Sequence, residues 1–267
     1  MSRWRHPLLI LAAALMLLPI LWAALVSTRP QDAIIGARLL TMPSLDAIAA
    51  NYGRAVTASP LFGFIGNGIA VCSLILFFQV LIMVPAGYAL AKLRFPGRET
   101  LWGGVLLGLM VPAPVLAMPL FVMVAMLGLM DSLPALVLPW VVSSLGIFLM
   151  RQFFRRVPDE IIEAARLDGL SELELLVRVL LPLARPTLGA FAIISLVAHW
   201  NELYWPSIVV TSAERATPPF GVMLFQTQEA GTEYGALMAG ALIIALPLVA
   251  AFLLLQRRFI EGLVAMK

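Results

Sequence analysis

Residues 151–186 read RQFFRRVPDEIIEAARLDGLSELELLVRVLLPLARP. The stretch holds six of the chain's fifteen acidic residues and six of its eighteen basic ones. Long uncharged runs lie on both sides of it. A charge-balanced, helix-forming island between apolar runs has to sit in water or against a partner, because charge is expensive to bury unpaired. Pro158 suits a first helical turn, where its missing N–H is not needed. Asp159 and Glu160 share that turn, where the helix dipole favours negative charge. Ile161, Ile162, Ala165 and Leu167 supply apolar positions, and Gly169 is placed to end the helix in a left-handed conformation. Ser171 with Glu174 three residues on predicts a capping box and a second helix. Pro182 and Pro186 are expected to bound that second helix. The small Ala164-Ala165 pair permits close backbone approach, and Glu163 offers a charge. Two readings fit these residues: an amphipathic loop helix lying on a bilayer, or a helix pair that docks on a partner.

Working outward, the uncharged runs predict membrane spans, each needing about 20 apolar residues. The first run is 6–28, with its core from Leu8 to Val26; it exceeds a signal-peptide h-region and lacks a small-x-small cleavage site, so a retained helix is expected. Residues 29–61 read as an irregular external segment with a short helix near Ser44–Tyr52. A second helix is expected over Ile65 to Leu90, with Pro85 and Gly87 as kink points, followed by a turn at Phe95-Pro96-Gly97. The run 100–130 predicts a third helix interrupted by Pro112, Pro114 and Pro119. Gly128 to Pro134 reads as a short turn, 132–150 as the fourth helix, Thr187 to Val210 as the fifth and 234–256 as the sixth, closed by Arg257-Arg258. The expected organisation is an N-terminal helix and external segment (1–61), a core bundle (62–257) carrying the island, and a tail (258–267).

Composition agrees. The chain of 267 residues is 61% hydrophobic and only 12% charged, where soluble domains are nearer ~25% charged; it is read as an all-α polytopic membrane protein. Six spans put both termini on one side. The N-terminus, the 91–100 loop, the island and the C-terminus together hold fourteen Lys or Arg, against Arg29, Arg38, Arg54 and Arg215 on the other face. This bias predicts cytoplasmic termini and a cytoplasmic island. It also accounts for the net charge of +3 without a nucleic-acid partner. Cys72, His6 and His199 are too few and too scattered to suggest a metal site or disulfide. Neither lysine, Lys92 or Lys267, sits in a phosphate-binding loop, and no nucleophile elbow or metalloprotease motif occurs. ATP hydrolysis, and with it ATP and Mg, is therefore expected on another chain, and no catalytic residue is expected here.

The fifth run carries a polar patch: His199, Trp200, Asn201, Glu202, Tyr204 and Trp205. An ionisable residue at membrane depth suggests function, and sugars bind through hydrogen bonds and stacking on aromatic rings. A continuous helix would give Trp200–Tyr204 and Asn201–Trp205 as same-face pairs, with Pro206 ending it. Asn201 and Glu202 can equally satisfy opened backbone or contact a partner subunit. Trp102 and Trp140 read as packing or interfacial aromatics.

Glu163-Ala164-Ala165, Gly169 four residues later and Val179-Leu180-Leu181-Pro182 resemble the EAA signature, E-A-A-x3-G-x9-I-x-L-P, of ABC-importer permeases; Val179 stands where Ile is usual. AGYALAKLRFPGRE, FRRVPDEIIEAARLDG, AHWNELYWP and LLLQRRFIEGL are similar to carbohydrate-type permeases such as the maltose permease subunits. FLMRQFF and TQEAGTEYGALMAG look closest to glycerol-phosphate permeases. The resemblance implies a type I importer fold of six transmembrane helices, with a coupling segment between helices 4 and 5. It implies that Glu163, Ala164, Ala165 and Gly169 meet a separate ATPase subunit; Asp168, in the variable gap of the motif, is expected to sit beside them at that contact. It also implies partners: a second, similar permease, two ATPase subunits and an extracytoplasmic solute-binding protein, in the inner membrane. The solute would be a sugar, a polyol or glycerol-3-phosphate. An ion-coupled secondary transporter or channel is the alternative, and it would call for several intramembrane charges or repeats. A membrane-anchored scaffold would leave the prolines of span three and the patch of span five without purpose.

Overall fold

The computed structural model describes residues 5–36, 43–228 and 233–265. Arg3, Arg38 and Lys267, used above to orient the chain, lie outside them, as do residues 229–232. Among the described residues three helices are long and apolar enough to cross a membrane unbroken: α1 (Arg5–Ser27), α4 (Leu61–Lys92) and α15 (Tyr234–Ala265). Three bent helix pairs are each long and apolar enough to form one further span, which brings the candidates to as many as six.

Each bend has a local cause. In the third span, α5 (Arg98–Met110) and α6 (Ala113–Met126) meet at 105°. Val111 precedes Pro112 and takes an extended backbone, as sterics before proline require; Pro114 then sits in the first turn of α6. The expected interrupted helix is thus two helices at nearly right angles. The fourth span, also expected as one helix, is α7 (Leu133–Val137), a 3-10 turn at Leu138–Trp140 and α8 (Ser144–Arg156), bent by 41°. Pro139 lies in the 3-10 turn, and the Ser143 hydroxyl restarts the helix by accepting the Gly146 N–H at 3.0 Å. α8 runs on to Arg156, so the charged island begins inside a bundle helix rather than after it.

The island itself folds as α9 (Asp159–Leu167), a turn, and a second helix that starts as α10 (Glu172–Glu174). The second helix does not stop at Pro182. It widens to a π-helical stretch over Leu175–Leu180 and continues through α11 (Leu181–Leu183). A π-bulge ahead of a proline re-registers the carbonyls that the missing N–H would orphan. The chain then turns by 77° at Ala184 into α12 (Arg185–Trp200).

The segment 29–61 holds the helix expected near Ser44–Tyr52, which is α3 (Leu45–Thr57) capped by Ser44, and one that was not expected, α2 (Gln31–Ile35). The buried Asn51 amide on α3 donates to the carbonyls of Ser27 at 2.9 Å and Arg29 at 2.8 Å, tying α3 to the end of α1. After α13 (Tyr204–Val209) and α14 (Pro218–Gln228), α15 continues past Arg257-Arg258 to Ala265 instead of ending there.

One apolar cluster joins α4, α8, the island and α12 through Met83, Tyr88, Met150, Phe154, Ile162, Ala165, Leu175, Leu180 and Phe191. Gly87 lets α4 touch α8: a Cβ there would lie 2.5 Å from that of Met150. A second cluster, around Phe64, Ile75, Leu136, Trp205, Val209 and Phe220, fills the opposite half. The two ends of the bundle are held separately by polar ties. At the end away from the island, the Asn67 amide donates to Glu214 and Ala216 carbonyls, and Asp131 accepts from Thr211 and Ser212.

Candidate functional site

α9 is short, and its two faces have different fates. Ile162 and Ala165 turn inward and are 3% and 6% exposed. Glu160, Glu163, Ala164 and Leu167 face out, with Leu167 at 88% exposed. The helix ends as its glycine requires. Gly169 takes φ of 82°, its N–H bonds to the Arg166 carbonyl at 3.0 Å, and the Leu170 N–H bonds to Ala165 at 3.1 Å, the paired pattern of a Schellman stop. Asp168 is the exposed C-cap. The capping box at Ser171 and Glu174 forms in both directions. Of the five residues expected at the ATPase contact, Glu163 and Ala164 lie on the free face, Asp168 borders it, Ala165 anchors the helix, and Gly169 shapes the turn. The apolar centre of the free face is Leu167, which sequence reasoning had assigned to the helix's own packing.

α9 is also tied to α4, to which it has no direct chain connection. Lys92 donates to the Val157 carbonyl at 2.6 Å and to Asp159 at 2.5 Å. The ammonium beside Asp159 holds that carboxyl below its ordinary value, the hydrogen bond mattering more than the bare charge. Tyr88 donates to Glu172 at 2.5 Å, and Arg166 reaches the other Glu172 oxygen at 2.8 Å. Arg151 donates to the Leu90 carbonyl at 3.1 Å, with its guanidinium 3.8 Å above the Trp102 ring.

The polar patch of the fifth span is arranged differently from a continuous helix. α12 stops at Trp200 and α13 starts at Tyr204, so the expected same-face pairs fall on opposite sides of a break, and the break precedes Pro206. Pro206 sits instead in the first turn of α13, where proline is tolerated. The Asn201 amide bonds back to the Val197 carbonyl at 2.8 Å, closing α12. One Glu202 oxygen accepts the Trp205 N–H at 3.1 Å, opening α13. Trp200 packs away from the break, against Gly68 of α4 and at 6% exposure. Glu202, Tyr204 and Trp205 line a cavity of about 120 Å³ with Trp140, Pro114 and Ala117. The bend of span three, the 3-10 turn of span four and the break of span five therefore converge on one place.

Behind the cavity stands a group that sequence reasoning missed. Gln79 is 4% exposed in the middle of α4. Its amide accepts from the Ser195 hydroxyl at 2.6 Å, donates to the Trp140 carbonyl at 2.9 Å and lies 3.4 Å from His199. Trp140 stacks tilted on His199 and edge-on to Trp205, at ring separations of 5.8 and 6.4 Å; of the two expected readings it is the packing one, and it also walls the cavity. The Trp205 indole donates to the Ala135 carbonyl at 2.9 Å. An amide deep in the longest uncharged run, twelve residues past Asn67, was the available signal for Gln79.

The sequence matches the family described as binding-protein-dependent transport system inner membrane component over residues 83–263. It is 29% identical over 265 residues to the sn-glycerol-3-phosphate transport system permease protein UgpE of Escherichia coli (strain K12), spanning 97% of this chain and 94% of that one. Identity and coverage are the same for UgpE of Shigella flexneri serotype 5b (strain 8401). A solved bacterial ABC transporter involved in the import of the acidic polysaccharide alginate superposes with a TM-score of 0.82 at 22% identity, over 94% of each chain.

Proposed function

Because the chain belongs to the family of binding-protein-dependent transport system inner membrane components, we propose that it is the permease subunit through which an ABC importer takes up a sugar-like solute, moved by an ATPase docked on α9. The observation that carries this is the free face of α9. Glu163, Ala164 and Leu167 project from the bundle on a helix whose other face is locked into the core. An exposed leucine ringed by small and acidic residues fits a cleft on a soluble partner. A helix lying on the bilayer would expose a wider apolar face and a basic rim. Closing of the ATPase dimer would then shift the bundle between two openings. Two ATPase subunits, a second permease and a solute-binding protein complete the assembly, with both termini and α9 on the cytoplasmic side.

Asn201, Glu202, Tyr204, Trp205 and Trp200 form this subunit's share of the path, Glu202, Tyr204 and Trp205 by lining the cavity and the other two by holding its helix ends. Indole and phenol rings beside a carboxylate suit a neutral, hydroxyl-rich solute, a carbohydrate or polyol. The relatives named for glycerol-3-phosphate and alginate bring anionic solutes into the same range. Among the described residues no Lys or Arg lines the cavity of about 120 Å³, so an anion would need its cations from the second permease. The test has two parts. The binding protein that co-purifies with the complex is melted against a disaccharide, glycerol and glycerol-3-phosphate, and the ligand that raises its Tm identifies the solute. Leu167→Glu is expected to release the ATPase subunits from the purified complex. Full retention of those subunits overturns the docking assignment.

A further inference from the structure

The covalent chain links α9 only to α8 and, through the second island helix, to α12, yet the shortest polar ties of the island run to α4. They grip α9 at both ends. Asp159, its first residue, bonds Lys92 at 2.5 Å. Arg166, beside its last residue, bonds Glu172 at 2.8 Å, and Glu172 in turn accepts from Tyr88 at 2.5 Å. Tyr88 and Lys92 are four residues apart and so share one face of α4. Between the two grips, Ile162 and Ala165 enter the same apolar cluster as Tyr88. α4 is one unbroken helix of 32 residues. Nine residues before Tyr88, about 13 Å along the axis at helical rise, it carries Gln79, which bonds the broken fourth span at Trp140 and the fifth at Ser195.

We infer that α4 is the transmission rod of this subunit: α9 and α4 move as one body when the ATPase closes, and α4 delivers that motion through Gln79 to the bends around the cavity. Tyr88, Lys92 and Glu172 are then positioning residues, acting through α9 rather than touching ATP or solute. The inference rests on α9 being the ATPase dock. Packing alone would not need it, since the apolar cluster already holds α9 against the bundle. The polar grips add orientation, because charge-assisted bonds fix direction where apolar contacts permit sliding. α8 cannot serve as the rod by itself, because its own span bends by 41° before reaching the cavity.

The experiment uses the assembled complex in liposomes, with Mg-ATP and the purified binding protein as probes. The readout is the ratio of ATP hydrolysis with and without binding protein, which reports communication between the two ends of the bundle. Tyr88→Phe removes one oxygen, and Glu172→Gln keeps the shape. Each is expected to lower the stimulation ratio about fivefold or more, the usual size of a coupling term, with the ATPase subunits still bound. The double variant should lose no more than the worse single one, since both break one link. Lys92→Asp should lower the ratio likewise, and adding Asp159→Lys should restore it. An unchanged ratio in Tyr88→Phe and Glu172→Gln overturns the rod. Release of the ATPase subunits by those variants also overturns it, because the grips would then serve docking alone. If no ATPase subunit binds the unaltered complex, it is the docking role of α9 that fails.

Discussion

Gly169 and Asp131 both hold φ in the left-handed region, at 82° and 55°, for different reasons. Gly169 ends α9, and open space surrounds the position where a Cβ would stand. A side chain there costs only the backbone term, about 1 kcal/mol, which asparagine largely escapes. Aspartate adds a negative charge at a helix C-terminus, where the dipole repels it, and beside Asp168. Gly169→Asp is therefore expected to abolish ATP-driven uptake while Gly169→Asn retains it, measured with the ligand that stabilises the binding protein; normal uptake by the Asp variant would count against the turn's role. Asp131 is a long-range device. One carboxylate oxygen accepts from the Thr211 and Ser212 N–H groups at 3.0 Å and from the Ser212 hydroxyl at 2.9 Å. These bonds, from Ser212 foremost, hold its carboxyl below the ordinary value. A carboxyl depressed in the folded state stabilises fully above its unfolded pKa of about 3.9 and loses that stabilisation as pH falls through the folded value. Asp131→Asn, which still tolerates the backbone, should lower stability at pH 7 by about 1 kcal/mol. The difference in Tm between the two proteins should shrink below about pH 4; a difference that ignores pH removes the charge from the account. The two residues also mark what a sequence discloses. Gly169 is legible because its rule spans a single turn. Asp131 is not, because its partners lie 80 and 81 residues away and only the folded bundle brings them together.

At the scale of the element, the prolines of span three announced its interruption but not how far it would bend, while span four, expected as one helix, bends at Pro139, which the sequence reading passed over. Pro112 turns its span by 105°, while the 3-10 turn at Pro139 gives 41°. The difference is set by what packs alongside. α5 buries none of its residues within this chain, whereas α8 is wedged against α4 at Gly87 and against Phe191 at Gly146. Pro182 went the other way: a π-helical stretch absorbed it and the helix continued, since the surrounding leucines Leu175, Leu176 and Leu180 are buried in the core. The break at 201–203 was the hardest to foresee, because the residues that make it look in sequence like a binding patch. Glu202 serves both purposes, as the acceptor for the Trp205 N–H and as a cavity wall. Two substitutions separate them. Glu202→Gln keeps an acceptor for α13 and removes the charge; Glu202→Ala removes both, at a capping cost of about 1 kcal/mol. Both are expected to alter uptake with the ATPase subunits still bound, the Ala variant more severely. Wild-type uptake by the Gln variant alone would reduce Glu202 to a helix cap, and wild-type uptake by both would leave it without a role in the path.

Over the whole molecule, apolar side chains stay exposed along α1, along α5 and α6 from Leu107 to Met126, and along α15 from Leu246 to Leu254. Such a surface is stable only against lipid or a second subunit, which suits one half of a paired pore. Charge divides the bundle as sharply as hydropathy does. Lys92, Arg94, Arg98, Arg155, Arg156 and Arg166 gather at the end bearing α9, and Arg29, Arg54 and Arg215 lie at the other. The positive-inside bias predicts a cytoplasmic α9, the side on which ATP is available, and an external Asp131–Ser212 tie. The chain's single cysteine makes this orientation simple to test. Cys72 is 3% exposed and should not react with a membrane-impermeant maleimide, so the unaltered protein is a silent background. Introduced cysteines at Glu163 and Thr211, both exposed and at opposite ends, then report the two faces. Thr211→Cys should label in intact cells, and Glu163→Cys only in inside-out vesicles or after permeabilisation. The reverse pattern would put α9 on the side that has no ATP, and neither the docking of α9 nor the transmission through α4 could survive it.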